Sequence, residues 1–483
     1  MKPAYAFFAV CVGALLATIA IQPARGAAQG DSQGRRNILF ILMDDMRYDT
    51  MSCMHHPFMK TPNMDRLAAS GVRFRNAFVT TSLCSPSRAS FLTGIYAHRH
   101  GVFDNRTRLD PKLPTYPQLL QQAGYRTAFF GKWHMGYETD QPQPGFDHWA
   151  SFKGQGNYVK NSFNINGQHT QIDGYVTDVI TDMAVDWIKA NRDKPFLAVV
   201  HHKAVHAMFI PAERHRDLYA DVKIALPPSS LDTPENYFRR PRWVREQRDS
   251  WHGINDAYYK EISLDQFIRD YCRALQAADD SVGKLIDTLE QLGLRESTLI
   301  VFTSDNGFLF GEHGLIDKRC MYEESIRIPM IMSCPSLYKG GQVLDPMVLN
   351  IDVAPTFVEA AGLPVPGEMQ GRSFLQLPND PNMPWRKSFL YEYFWEVDYP
   401  ETPTVLGVRT DRYKYMEYQG VWDANELYDL QDDPQELHNR ISTSRRKVVT
   451  PDPEYAKVYE DLRKELRDLT AKLGCRDWPT WKK

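Results

Sequence analysis

The sequence predicts an α/β fold: a large, mostly parallel sheet sandwiched by helices, with a smaller α+β domain and an antiparallel sheet at its C-terminal end. Three observations carry that prediction. Four short runs, 37–43, 125–130, 195–200 and 297–302, are apolar almost without interruption, as strands covered on both faces are. Helical periodicities lie between them, and strands alternating with helices imply parallel pairing through crossovers. Beyond about Pro384 the runs shorten, and 412–418 alternates polar with apolar residues, the pattern of a half-exposed antiparallel strand.

Lys2 precedes an apolar run from Phe7 to Ile21, and small residues follow at Ala24-Arg25-Gly26. This is the layout of a secretory signal, expected over residues 1–26 with cleavage near Gly26 or Ala27. The run is short for a membrane span and no later segment reaches that length. The mature chain is therefore expected to be exported, periplasmic or secreted, with no integral membrane segment.

The main domain is expected over residues 36–384. Its first apolar run leads into Asp44-Asp45, the second through Gly131 into Lys132-Trp133-His134, and the third into His201-His202-Lys203. The fourth leads through Thr303-Ser304 into Asp305-Asn306-Gly307. Open α/β sheets bind ligands at the carboxyl ends of their strands, so these polar residues are expected along one rim. Val176–Lys189 and Asp270–Leu292 carry helical spacing, the latter stopping at Gly293. The polar, proline-interrupted stretch 224–259 reads as an irregular loop over the cleft. In a second domain over 385–475, the segments 388–394, 404–410, 412–418 and 426–430 read as strands and 453–473 as a closing helix.

A net charge of -3 gives no electrostatic case for nucleic acid or an anionic membrane surface. Aromatic residues make up 12% of the chain, which suits a carbohydrate cleft and a packed core equally. Seven cysteines occur, Cys11 within the leader, without CxxC or zinc-ligand spacing. Their pairing stays open.

The segment Leu83-Cys84-Ser85-Pro86-Ser87-Arg88-Ala89-Ser90-Phe91-Leu92-Thr93-Gly94 places a thiol just before a helix start. Pro86 suits the first helical turn and Ser85 can cap it. The helix dipole favours an anion there, and Arg88 adds a positive fork one turn on. Asp44, Asp45, Asp305 and Asn306 form a hard-oxygen set suited to Ca²⁺ or Mg²⁺ rather than zinc. Arg88, Lys132 and Lys318 can balance negative charge, and His134 and His206 are natural proton carriers near neutral pH.

The spacing Cys-x-Pro-Ser-Arg closed by Thr93-Gly94 resembles the signature of type I sulfatases, a family with the alkaline-phosphatase-like fold. The likeness runs from about Asn37 to Asn439. It takes in Gly131–Gly136, Gly311–Arg319, Asn350–Thr356, Met369–Ser373, Arg409–Tyr415 and Glu426–Leu430. The resemblance implies that Cys84 is modified to formylglycine by a maturase and that its hydrate attacks the sulfur of a sulfate ester. It implies one Ca²⁺, rather than Mg²⁺, held by Asp44, Asp45, the modified Cys84, Asp305 and Asn306. It casts Arg88, Lys132 and Lys318 as sulfate clamps, His134 as the base acting on the formylglycine hydrate, and His206 as the acid that protonates the leaving oxygen. Lys132, Lys318, His206 and His313 are implied as substrate contacts. His206 departs from the family pattern, because Val205 stands where proline often precedes it and Pro211 comes late.

The implied activity is sulfate ester hydrolysis on a sulfated carbohydrate, and Phe146–Trp149 with Gly154–Tyr158 resembles glucosamine-6-sulfatase-type relatives. Three rivals stand beside it. One is a phosphodiesterase or phosphonate monoester hydrolase on the same fold. The second is an inactive glycan-binding homologue with Cys84 unmodified. The third is a thiol hydrolase using Cys84 directly.

Overall fold

The computed structural model describes Met1 and residues 35–475, apart from 239, 259–261, 420–424, 445–446 and 450–452. The expected leader lies outside the described residues. Ten strands form the main sheet: β1 (Asn37–Met43), β2 (Val72–Phe74), β3 (Arg126–Lys132), β4 (His148–Phe152), β5 (Val159–Ile165), β6 (Gln168–Tyr175), β7 (Phe196–His201), β8 (Thr298–Ser304), β9 (Met330–Ser333) and β10 (Gln342–Leu344). Their order is β10-β2-β9-β8-β1-β7-β3-β4-β5-β6. The five central strands, β8-β1-β7-β3-β4, run parallel. Antiparallel neighbours flank them, β9 beside β8 and β5 beside β4.

The four apolar runs expected as strands are the adjacent β8, β1, β7 and β3. Successive side chains point to opposite faces of a strand, and both faces are covered. Ile38, Phe40 and Leu42 of β1 join one core with Phe91 and Leu92 of helix α1 (Cys84–Thr93) and Phe357. Leu39, Ile41 and Met43 join the other, against α2 (Val176–Asn191) and α3 (Leu264–Gln291). The result is a three-layer sandwich whose central strands end on one rim.

Helix α1 corrects one local expectation. It begins at Cys84, with Leu83 in the cap position, so Ser85 lies inside the first turn. The Ser85 hydroxyl donates to the backbone carbonyl of His134, and Asn105 Oδ1 accepts the Ser85 N–H at 3.0 Å. The buried helix start is thereby tied to the end of β3. At the other end, Gly94 adopts φ 70 and its N–H bonds Ser90 O, the left-handed C-terminal stop that glycine permits.

The C-terminal strands β11 (Ser388–Tyr393), β12 (Val405–Thr410), β13 (Tyr413–Tyr418) and β14 (Glu426–Asp429) form a separate antiparallel sheet, followed by helix α4 (Pro453–Leu473). His98 anchors this region. Its Nδ1 lies 2.8 Å from Glu392 Oε2 and its Nε2 3.1 Å from Leu473 O. Burial pushes the imidazole down, but hydrogen bonds with Cys475 and Glu392 outweigh that and lift it to about 10. A group raised above its unfolded value of about 6.5 contributes fully below that pH and loses the contribution as pH rises through the folded value. His98→Ala is therefore expected to lower Tm by about 2 °C at pH 6, with the gap closing by pH 10 in thermal melts. A gap that does not change with pH would rule out the charged pair.

Candidate active site

The four central strand ends deliver their polar residues to one buried cluster. Asp44 and Asp45 follow β1, and Asp305 and Asn306 follow β8. All four are fully buried. Asp45 reaches the cluster because its backbone turns into the left-handed region at φ 59, which lets two adjacent carboxylates face one space. Carboxylate oxygens of Asp44, Asp45 and Asp305 lie within 4.8 Å of one another. Lys132 and His134 come from the end of β3. Gly131 there has φ 105, and a Cβ would meet His201 O of β7 at 1.9 Å, so only glycine lets the two strand ends approach this closely.

Cys84 stands at the first turn of α1 with its Sγ 3.7 Å from Asp44 Oδ1. Arg88 follows four residues later, on the same helix face. Its Nε and Nη2 grip Asp305 Oδ2 at 2.9 and 2.8 Å, and its Nη1 donates to Lys132 O at 2.7 Å. Lys132 pairs with Asp44. Lys318 Nζ donates to both oxygens of Asp45 at 2.7 Å. His206 Nε2 lies 3.8 Å from Asp45 Oδ2, and its Nδ1 is 2.6 Å from Ala207 O. His134 Nε2 is 3.1 Å from the Gln155 side-chain amide, while its Nδ1 is buried without a partner.

Burial and crowding set the protonation states. Burial alone would raise the Asp44 carboxyl, yet Lys132, His206, Arg88 and Lys318 together hold it well below its usual range. Asp45 goes the other way, to about 7, because burial and the nearby Asp44 and Asp305 outweigh Lys318. Burial, with Lys132 nearby, depresses both His134 and His206. Burial also pushes the Cys84 thiol up. A buried, un-ionised thiol is a poor nucleophile, which weighs against direct thiol chemistry.

The donor set fits a hard divalent cation. Three buried carboxylates converge on one space, and Asn306 Oδ1 beside them is buried with no hydrogen-bond partner. An orphaned amide oxygen costs stability unless something accepts its lone pairs. Asp44, Asp45, Asp305 and Asn306 would hold the ion, with the Cys84 position facing it.

Sequence reasoning named nearly all of this cluster, and the structure sets one of the residues it named elsewhere. His313 sits on the tip of a hairpin, Leu309–Phe310 paired with Ile316–Asp317. It stacks on Tyr322 at 3.8 Å and shares a separate buried group with Glu324 and Glu436. No hydrogen bond or ion pair joins it to Lys318 or Asp45 among the described residues. His201 lies under Arg88, 3.4 Å from its Nη1, and His202 bonds Ser281, so both serve the core.

Other residues of the site carry little sequence signal. Lys203 is buried, with its amine 4.8 Å over the Tyr158 ring and no ion pair among the described residues. Burial, with Lys132 nearby, lowers it to about 8. The motif His201-His202-Lys203 is the only hint, because a strand end does not reveal which side chain turns inward. Around Lys318, Asp317 accepts from Tyr258 at 2.9 Å and pairs with Arg319, which donates to Glu396 at 2.9 Å. Asp317 and Arg319 have φ 76 and 73, uncommon for non-glycine residues and frequent at functional sites.

A buried cation-type site beside a helix-start cysteine, at the rim of a mostly parallel sheet, defines a class of ester hydrolase. A sulfatase family model matches residues 36–363, and an N-sulphoglucosamine sulphohydrolase C-terminal model matches residues 311–472. The chain belongs to the sulfatase family and is a sulfuric ester hydrolase. It is 34% identical to an N-acetylglucosamine-6-O-sulfatase of Bacteroides thetaiotaomicron, over 91% of this chain and 88% of that one. A solved structure in complex with its substrate D-glucosamine-2-N,6-O-disulfate superposes with a TM-score of 0.81 at 33% identity, covering 93% of this chain and 100% of that chain. A multifunctional alkaline phosphatase superfamily protein of Trinickia caryophylli is 27% identical over 88% of this chain and 93% of its own length.

Proposed function

We propose that this protein removes sulfate from a carbohydrate, with 6-O-sulfated N-acetylglucosamine or a glucosamine-type sugar as the substrate class. The observation that carries the reading is the gathering of Cys84, three carboxylates and the cations Arg88, Lys132 and Lys318 in one buried cluster. Similarity to the N-acetylglucosamine-6-O-sulfatase over nearly the whole chain supports the sugar. We further propose that Cys84 is matured to formylglycine by a modifying enzyme and that Ca²⁺ fills the acidic site. When present, these groups supply an aldehyde-hydrate nucleophile and Lewis-acid stabilisation of the sulfuryl oxygens.

The chain's own residues then divide the remaining work. Arg88 is fixed by its grip on Asp305 and orients the acidic cluster beside Cys84. Lys132 and Lys318 supply positive charge on two sides of the reacting sulfate, where negative charge builds in the transition state. His134 lies two residues beyond Lys132 and carries a proton at the Cys84 side. His206 faces Asp45 and carries the proton for the departing sugar oxygen. The leader composition of residues 1–26 supports export to the periplasm or outside the cell.

The direct test is sulfate release from N-acetylglucosamine-6-sulfate, compared with phosphodiester and phosphonate monoester turnover. A higher kcat/KM on the phosphorus esters would overturn the reading in favour of the phosphohydrolase alternative. His206→Ala is expected to slow sugar sulfates by about 10²–10⁴-fold but aryl sulfates far less, since a phenolate leaves without a proton. Equal losses on both would remove His206 from that role. Lys203→Gln is expected to lower kcat/KM by about tenfold or more, because it removes an uncompensated buried charge beside the cluster. Unchanged steady-state kinetics would leave Lys203 a packing residue.

A further inference from the structure

A second concentration of cations, unlike the first not held in ion pairs, lies at the tip of the Leu309–Asp317 hairpin. Arg240, Arg245, Arg248 and His313 line one narrow, solvent-open cleft there, with about 20 Å³ of water-accessible space. None of the three arginines makes an ion pair among the described residues. Arg240 Nη1, Arg245 Nε and Arg248 Nε are buried without hydrogen-bond partners. His313 is 4% exposed, and neither of its ring nitrogens has a partner. Its backbone N–H is tied to Ser229 Oγ at 3.1 Å, so the ring is held in place. One carboxylate, Asp232, also lines the cleft, leaving it with excess positive charge.

Buried polar groups left without partners are costly and point to a missing ligand. His313 also neighbours Glu324 and Glu436, an arrangement that could suggest a metal. The charges argue otherwise. Lys414 already pairs with Glu436 at 2.8 Å, and the positive charges of both Arg240 and Lys414 act on the imidazole, which opposes a cation. Guanidinium forks match sulfate and carboxylate oxygens.

The cleft is connected to the active site by short, fixed segments. Four residues lie between His313 and Lys318, a reach of at most about 18 Å. The chain from Arg248 to Gly253 runs beside the hairpin. Arg248 packs at Gly314, Gly253 bridges Leu315, and the Ile316 N–H donates to His252 O at 2.8 Å. His252 Nε2 then lies 3.1 Å from Asp317, next to Lys318. One rigid hairpin therefore carries a sulfate-clamp lysine at one end and the cation cleft at the other.

We propose that this cleft is a second anion subsite, which takes a sulfate or carboxylate on a neighbouring residue of the same saccharide. The proposal rests on the carbohydrate-sulfatase reading and assigns it an oligosaccharide rather than a monosaccharide substrate. The test uses three oligosaccharides with the same scissile 6-sulfate and a neighbouring sugar that is neutral, carboxylated or sulfated. The wild-type protein is expected to favour an anionic neighbour by about tenfold in kcat/KM, equivalent to one charge-assisted hydrogen bond. The preferred anion identifies the source. In the Arg245→Ser/Arg248→Ser double variant the ratio should fall to near one. A wild-type ratio of one, or a ratio that survives the double substitution, overturns the proposal. Equilibrium binding of the same sugars to Cys84→Ala, with and without the arginine substitutions, separates the two readings. Arginine-dependent binding of the anionic sugar without sulfate release by the wild type would retain the subsite and reject the sulfatase substrate. Loss of the ratio with a lowered melting temperature is checked in Arg245→Gln, which keeps side-chain bulk and must show the same direction.

Discussion

Cys84→Ala is expected to eliminate sulfate release, by about 10⁴- to 10⁶-fold in kcat, the loss seen when a nucleophile is removed from a unit that acts together. The fold should survive. Cys84 is buried, its one side-chain hydrogen bond among the described residues is a 3.7 Å approach to Asp44, and the helix start is secured separately through Ser85 and Asn105. Serine at this position should be as inactive as alanine in a host that converts only cysteine. The active wild-type protein should show an aldehyde at residue 84 by peptide mass spectrometry, and alkylating reagents should leave its activity unchanged. Full activity in a preparation carrying only thiol at that position would reject the formylglycine proposal. The structure frames this test clearly, because a thiol pushed up by burial is almost wholly protonated at neutral pH.

Removing the cation should have the second largest effect. Asp44, Asp45 and Asp305 face Lys132, Lys318 and Arg88, so three acids already balance three bases. A site balanced in this way spends its lysines on its own carboxylates. A divalent ion taking over the carboxylates would leave both ammonium groups to a sulfate. Chelation followed by dialysis is expected to lower kcat/KM by about 10³-fold or more, with Ca²⁺ restoring activity. Tm should rise with Ca²⁺ concentration, by linkage worth about 2.7 kcal/mol at a hundredfold excess over Kd. Asp305→Ala should lose both responses, and it also frees Arg88 from its ion pair with Asp305 Oδ2. Activity and melting that ignore chelator would show that the balanced charge cluster works without metal.

The contrast between His206 and His313 shows what a sequence can place. Both are implied as substrate contacts by resemblance, and His206 joined the cluster while His313 went to the tip of a hairpin. His206 follows β7 by a few residues, so the parallel sheet fixes its neighbourhood. His313 lies in a left-handed turn at φ 61, where one backbone angle redirects the side chain. Lys203 shows the reverse. It was visible at a strand end but indistinguishable from a solvated lysine until Tyr158 was found beneath its amine.

The sequence by itself determined the sheet, its central strands and the rim, because continuous apolar runs have no stable place except between two covering layers. It also determined the cysteine segment, whose residues lie within a single helix. Only the tertiary structure decided which polar side chains meet. Asp45 lies far along the chain from both Asn306 and Lys318, and their contact depends on strand order and on a few backbone angles near zero cost for glycine and strained for other residues. The cation cleft at Arg240, Arg245 and Arg248 belongs to that second category. In the sequence its arginines are part of the polar loop 224–259, and only their burial shows which of their nitrogens have no partner.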